Sequence, residues 1–253
     1  MKIDMHVHAK ERSSCSIASE KEHIEKAIEF GLDAIIFTDH NKLVPLDHLK
    51  ELNKKYSPFK IFGGIEVRMK DNGEDVLILG IHDKLIEERE WTYPELYKFV
   101  RERNGYIAKA HPYRYKEYIE IDIENYIPDA LEIHSTNIGK DDTKLISNLA
   151  QKLNCNLISN SDAHNSKDIG IYYNELESTP KNEKELIEIL KSGKYTCGYC
   201  PERVYKFNKN VAEREEIIRN LIKEGKNKEY YHKLTGNWEG EFDRVLIGKS
   251  YII

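Results

Sequence analysis

Apolar positions in this chain recur in two rhythms, a period of two over short runs and a helical period over longer ones. Lys2 to Val7 alternates, so a strand there carries Lys2, Asp4, His6 and His8 on one face and Ile3, Met5 and Val7 on the other. Ser19 and Glu22 form a capping box ahead of Ile24, Ala27, Ile28 and Phe30, and Gly31 ends that helix. Residues 33–38 are a short, nearly all-apolar run of the kind covered on both faces in a parallel sheet. A helix over 45–56 leads to a strand over 60–68, and the Asn72-Gly73 turn introduces a strand over 75–81. The pattern then predicts a helix over 94–103, strands over 106–110 and 129–134, a helix over 141–153, a strand over 156–160 and a helix over 183–191. From Lys194 the character changes. An irregular stretch precedes an amphipathic helix through Val211, Ile217, Ile218, Leu221 and Ile222, and the strand-like run 244–247 follows.

Strands and helices that alternate with short links predict an α/β fold with parallel strands, either closed into a barrel or left open. The polar residues favour the barrel. His6, His8, His40, Glu66, His82, His111, His134, Asp162 and His164 all fall at or just past the C-terminal ends of expected strands, where barrel enzymes keep their chemistry. The expected organisation is therefore a barrel domain over 1–193 with a C-terminal extension, 194–253, packed on it.

Composition narrows the partners. Thirty-nine Lys and Arg against 44 Asp and Glu give a formal charge of -5, without the overall basic bias that favours nucleic-acid binding beyond a short nucleotide substrate. No run approaches the roughly 18 apolar residues of a membrane span, and a cytoplasmic location with no membrane partner is expected. Four cysteines are too few for a disulfide framework in 253 residues. Cys197 and Cys200 have the spacing of half a zinc site, but no second pair follows, and we read them as incidental.

The strand-end residues form the ligand set of a multinuclear metal site built from imidazoles and carboxylates. Asp162 with His164, and Glu132 with His134, each offer two ligands from one strand end. Glu66 is the candidate bridge, because a carboxylate can span two cations roughly 3.5 to 4 Å apart. Asp39, adjacent to His40, is expected to hydrogen-bond a ligand imidazole. Arg114 is the best placed of three arginines to grip phosphate, ahead of Arg68 and Arg12. His82 is open between ligand, substrate contact and hydrogen-bonded loop residue.

His6-x-His8, Thr38-Asp39-His40, Gly64-Ile65-Glu66, Ala110-His111-Pro112 and Ser161-Asp162-Ala163-His164 resemble, in that order, the motifs of the polymerase and histidinol phosphatase (PHP) family. The match covers about residues 1–170. The resemblance implies a distorted seven-stranded (β/α)7 TIM-like barrel and two or three divalent ions, Zn, Mn or Fe. It assigns His6, His8, Glu66 and Asp162 to the first ion, Glu66, His111 and His134 to the second, and His40 and His164 to the third. The implied reaction is hydrolysis of a small phosphomonoester, histidinol phosphate-like or nucleotide, by a metal-bridging hydroxide. Glu66, Asp162, His40, His164 and Arg114 are its expected catalytic residues. One departure stands out: the loop after His8 lacks the Asp or His that three-metal members often carry, leaving Glu11 or Cys15 as substitutes. The competing readings are an amidohydrolase-type enzyme, with Lys109 the lysine to consider, and a nonenzymatic binding module.

Overall fold

The computed structural model describes residues 1–253. The chain begins with β1 (Lys2–Val7), α1 (Glu20–Glu29), β2 (Ala34–Phe37), α2 (Leu46–Tyr56), β3 (Lys60–Arg68) and β4 (Asp75–Leu79). It continues with α3 (Leu85–Glu88), α4 (Tyr93–Glu102), β5 (Tyr106–Lys109), β6 (Ala130–His134), α5 (Thr143–Leu153) and β7 (Asn156–Ser159). Then come β8 (Tyr172–Leu176), α6 (Glu183–Ser192), β9 (Tyr195–Tyr199), α7 (Pro201–Lys223), α8 (Lys228–Thr235) and α9 (Glu239–Leu246). Local signals set several helix ends. Ser19 and Glu22 make the expected capping box on α1, Thr92 and Glu95 make another on α4, and Gly193 closes α6 at φ 68°. No helix is long and apolar enough to cross a membrane.

All strands join one nine-stranded sheet, in the order β7-β6-β5-β4-β3-β2-β1-β8-β9, which curls into a nearly closed barrel. The seven expected strands form as β1 to β7, and two more extend the sheet past β1: β8 runs antiparallel to β1, and β9 antiparallel to β8. The segment expected to begin the C-terminal extension is thus the sheet's edge strand. The expected strand at 244–247 lies mostly in α9 instead, because Phe242 and Val245, three apart, pack on Ile218, Leu221 and Tyr231 with helical spacing.

The sheet is not all parallel. β4 runs antiparallel to both β3 and β5, while β1, β2 and β3 are mutually parallel and β5, β6 and β7 likewise. A parallel crossover needs a dozen or more residues, and the Asn72-Gly73 link is far too short. The reversal brings Asp75 opposite Arg68 at the C-terminal end of β3. It also carries His82 to the other end of the barrel, where its Nε2 lies 2.8 Å from Glu183 Oε2. His82 is therefore a loop residue paired with a helix start.

Two bulges break the period of two where it matters. In β1 the register slips between Asp4 and Val7, so Ile3 and Met5 join the interior cluster with Leu77, Ala108, Ala130 and Ile158, while Val7 packs outside with Ile24 and Phe37. The expected division of β1 into one polar and one apolar face is corrected accordingly. In β6 the register slips between Glu132 and His134, which pairs with Ser159 instead of continuing the alternation.

Side chains close the gap between β7 and β8. Asn174, fully buried, accepts from Ser159 N at 3.0 Å and donates to Ser159 O at 2.7 Å and to Asn160 Oδ1 at 3.0 Å. Asn160 Oδ1 in turn accepts from Met5 N at 3.3 Å, and Val7 bridges Ala163 above. An asparagine side chain here stands in for a missing strand neighbour. Replacing Asn174 with Leu leaves buried backbone groups unpaired, and we expect a loss of about 2 to 5 kcal/mol of stability in urea unfolding. A change under about 0.5 kcal/mol would show that the clasp is dispensable.

Candidate metal centre

β1 delivers His6 and His8, both fully buried, into the open end of the barrel. β3 delivers Glu66, and the segment after β7 delivers Asp162. Their donor atoms converge. His6 Nε2 lies 3.4 Å from Glu66 Oε1 and 3.3 Å from Asp162 Oδ1; His8 Nε2 lies 3.3 Å from Glu66 Oε2 and 3.1 Å from Asp162 Oδ1. Ligands held about 2.0 to 2.1 Å from a tetrahedral ion stand about 3.4 Å from one another, close to these separations. His6 Nε2, His8 Nε2, Glu66 Oε2 and Asp162 Oδ1 are also buried without a hydrogen-bond partner. Buried polar atoms are rarely left unpaired, so four such atoms facing one another fit a divalent cation.

Glu66 joins this group to two others. His111 Nε2 lies 3.0 Å from Glu66 Oε1, with Asp75 Oδ2 3.8 Å from the same nitrogen. His40 Nδ1 lies 2.9 Å from Glu66 Oε2, and the His8 ring stacks between those of His40 and His164, with centroids 4.4 and 4.3 Å away. Donor atoms of Glu66, Asp75 and His111, and separately of His8, His40 and His164, fall within 4.8 Å of one another. Of the expected ligands, His6, His8, His40, Glu66, His111, Asp162 and His164 come together. His134 does not join them. The β6 bulge breaks the spacing that would have aimed it inward, and its ring stacks on Tyr172 at 5.1 Å. Asp75 is the residue whose donor atom falls within 4.8 Å of those of Glu66 and His111. Sequence reasoning missed Asp75 because it opens a strand, and the Asn72-Gly73 hairpin was the one signal that could have found it.

Neighbours orient the ligands. Glu132 serves in this way: Oε1 lies 3.0 Å from His6 Nδ1 and accepts from Asn160 Nδ2 at 2.8 Å, while Oε2 accepts from His111 N at 2.9 Å. With Nδ1 so engaged, His6 Nε2 is free to ligate. His164 Nδ1 likewise faces Asp162 O at 3.0 Å. Asp39 accepts from Ala9 N, Ser13 Oγ and Arg12 Nε at 2.7 to 2.8 Å. It reaches His8 only through Ser13, whose Oγ is 3.4 Å from His8 Nδ1, so its expected direct bond to an imidazole is replaced by anchoring of the loop. His111 and Asp162 both take left-handed backbone, φ 26° and 53°, a cost of about 1 to 3 kcal/mol each that tends to gather at functional sites.

Arg12 is committed to Asp39 and Glu20, and Arg68 grips Asp75 with two bonds of 2.8 and 2.9 Å. Arg114 differs. It gives Nη2 to Asn137 Oδ1 at 2.8 Å, Asn137 gives Nδ2 to Asp162 Oδ2 at 2.6 Å, and the Arg114 Nε is buried without a partner. Its guanidinium lies 4.5 Å from the Trp238 ring centroid. Lys109 Nζ is held 2.6 Å from Glu74 Oε2, away from a bridging position. Glu11 accepts from Glu20 N at the start of α1. Cys197 Sγ and Cys200 Sγ have separate partners, Leu157 O and Glu202.

Charges balance inside the cluster. Burial pushes the Glu66 and Asp162 carboxyls up, but the surrounding imidazoles together, His6 foremost with His40 and His111 at Glu66 and His8 and His164 at Asp162, hold both well below the usual range. Against burial, Asp162, Glu132 and Glu66 hold His6 well above its ordinary value. Burial and the charge of His164 drive His8 well below its own. Burial opposes protonation of His40 too, yet Glu66 and the Cys15 thiol together push it up to about 11. Protons on His6 and His40 thus occupy the place a cation would take.

A family model described as the PHP domain matches residues 4–251. No curated protein matches the sequence. Among solved structures, the chain is similar to a two-domain Bacteroides vulgatus protein containing a predicted PHP-like metal-dependent phosphoesterase, at 15% identity and TM-score 0.64 over 79% of this chain and 64% of that one. It is similar to a lesion-specific endonuclease from Pyrococcus furiosus, at 21% identity and TM-score 0.53 over 78% and 58%. It also resembles a Chromobacterium violaceum amidohydrolase, at 15% identity and TM-score 0.53 over 74% and 96%. Likenesses at these identities establish the fold.

Two outcomes test the centre. A cation must displace the protons on His6 and His40, so zinc affinity should tighten as pH rises from about 6 to about 8, with protons released on loading. An affinity flat across that range would contradict the assignment. Glu132→Gln offers one acceptor oxygen where Glu132 gives two to three donors, and metal affinity should fall about 10- to 100-fold by equilibrium competition with a chelator.

Proposed function

Because the chain belongs to the PHP domain family, we propose that it is a metal-dependent phosphoesterase hydrolysing a small phosphomonoester, histidinol phosphate-like or a nucleotide. The observation that carries this reading is the convergence of unpartnered His6, His8, Glu66 and Asp162 donors on one buried point. In this reading His6, His8, Glu66 and Asp162 hold one divalent ion, Glu66, His111 and Asp75 a second, and His40 and His164 a third, with Zn, Mn or Fe all compatible with the donors. Such ions, when bound, make hydroxide available near neutral pH and neutralise phosphate oxygens.

The chain's own residues do the rest. Glu66, shared between groups, sets their spacing and orients the donors around the reacting phosphate. Arg114 grips a phosphate oxygen through its unspent Nε, while Asn137 ties its position to Asp162. His40 and His164, each about 29% exposed, stand where the cluster meets solvent and so line the side on which the leaving group departs. Tyr115 and Trp238, 41% and 48% exposed with ring centroids 6.5 Å apart, offer aromatic faces beside Arg114 to a ring on the leaving group. An amidohydrolase reading is less supported, since Lys109 is bound to Glu74 and Glu66 already spans the groups.

The test is protein loaded with manganese or zinc, assayed on sugar phosphates, histidinol phosphate, mononucleotides and 3',5'-bisphosphonucleotides. Phosphate release is expected on at least one class. Fully loaded protein that releases none, or that releases ammonia or a carboxylic acid from amidohydrolase substrates, would overturn the reading. Arg114→Ala should lower kcat/KM about 10- to 100-fold, the worth of one hydrogen bond to a charged group, with metal content unchanged.

A further inference from the structure

Resting on the metal-centre reading above, we propose that Lys109 is a positioning residue for the second cation: its buried ammonium fastens together the two backbone segments that turn Asp75 and His111 toward each other.

Lys109 ends β5 beside the start of β4 and is 1% exposed. An ammonium has three N–H donors and no acceptor. Here each donor has its own acceptor: Glu74 Oε2 at 2.6 Å, Ala110 O at 2.6 Å and Asp75 O at 3.1 Å. No donor is left for a substrate. The three partners are the residue before Asp75, Asp75 itself and the residue before His111, so Lys109 acts through these two donors.

The bond to Ala110 O bears directly on His111, because the Ala110 carbonyl and the His111 N–H belong to one planar peptide. Lys109 holds that plane at its oxygen, and Glu132 Oε2 holds it at its nitrogen, accepting from His111 N at 2.9 Å. His111 has φ 26°, a backbone that a non-glycine residue keeps only where its surroundings over-determine it. These two bonds supply that constraint. The bond to Asp75 O bears on the other donor. The same oxygen accepts from Ala110 N at 3.2 Å, so the main chain at 75 is doubly joined to the end of β5, while Arg68 grips the Asp75 carboxylate. Asp75 Oδ2 is thereby held 3.8 Å from His111 Nε2, with a Glu66 oxygen near both. Glu74 balances the charge of the buried ammonium, and its Oε1 accepts from Glu120 N at 3.1 Å, which keeps the carboxylate turned inward.

The test separates the carbonyl bonds from the ion pair. Zinc or manganese stoichiometry by elemental analysis and affinity by chelator competition are measured with urea unfolding of the metal-free proteins alongside. The binding step that Asp75→Ala weakens identifies the second ion. Lys109→Met should weaken that step about 10- to 100-fold and leave the first ion unchanged. Glu74→Gln still offers an acceptor to Lys109 Nζ and should retain both ions. Combining Lys109→Met with Glu74→Gln removes the unpaired carboxylate, so stability should recover toward that of the native protein while the second ion stays weak, and this double variant carries the test if Lys109→Met alone does not fold. Recovery of the second ion together with stability, or a second ion held by Lys109→Met as tightly as by the native protein, would overturn the positioning role and leave the phosphoesterase reading standing. Native protein with no step that Asp75→Ala weakens would also overturn the positioning role, and native protein that binds no ion at all would overturn both.

Discussion

Glu66 and Asp162 place two carboxylates, 0% and 2% exposed, within contact of the same pair of imidazoles, and the rest of the molecule is built around making that arrangement tolerable. A buried ion costs several kcal/mol unless it is paired and its lone pairs are satisfied. Protons on His6 and His40 offset part of that cost, and the four unpartnered donor atoms show that they do not offset all of it. The unmet remainder is a demand that a cation would satisfy. Around it, Asp4 fastens the segment that carries Asp162, accepting from Ser161 N at 3.0 Å and Gly170 N at 2.9 Å, so that the left-handed backbone at Asp162 is held in place.

The reversed strand β4 matters as much as the ligands. In an all-parallel barrel, residues at strand starts face the inert end, and Asp75 would have no part in the site. The hairpin turns Asp75 toward His111 and sends His82 to the far end to meet Glu183. The same logic applies to the β6 bulge, which keeps Glu132 inside as the residue that orients His6 and His111 and leaves His134 against Tyr172. Two residues that shared a strand end thus have unlike roles.

Residues after the sheet also reach the site wall. Arg244, fully buried, donates to Asn137 O at 3.0 Å and to Ser250 O at 2.7 Å, and Lys249 Nζ lies 3.0 Å from Asp142 Oδ1. Asn137 is the link between Arg114 and Asp162, and Trp238 covers the Arg114 guanidinium. The last turns of the chain buttress the arginine beside the metal cluster, which accords with a family match that runs to residue 251.

The sequence by itself determined the seven strands from β1 to β7, the ordered histidine and carboxylate motifs at their ends, and the capping box on α1. These depend on neighbours within a few positions: an apolar rhythm, a turn, a cap. It did not determine β8 and β9, the helical state of 239–246, the direction of β4 in the barrel, or the placement of Asp75 beside His111 while His134 stacks on Tyr172. Each of those depends on contacts between distant segments. β8 forms because the free edge of β1 needs a partner, α9 because Phe242 and Val245 meet α7, and the bulges because the barrel must bend where local alternation alone would run straight. Local spacing can say which residues carry the chemistry; only closure of the barrel decides which of them face one another.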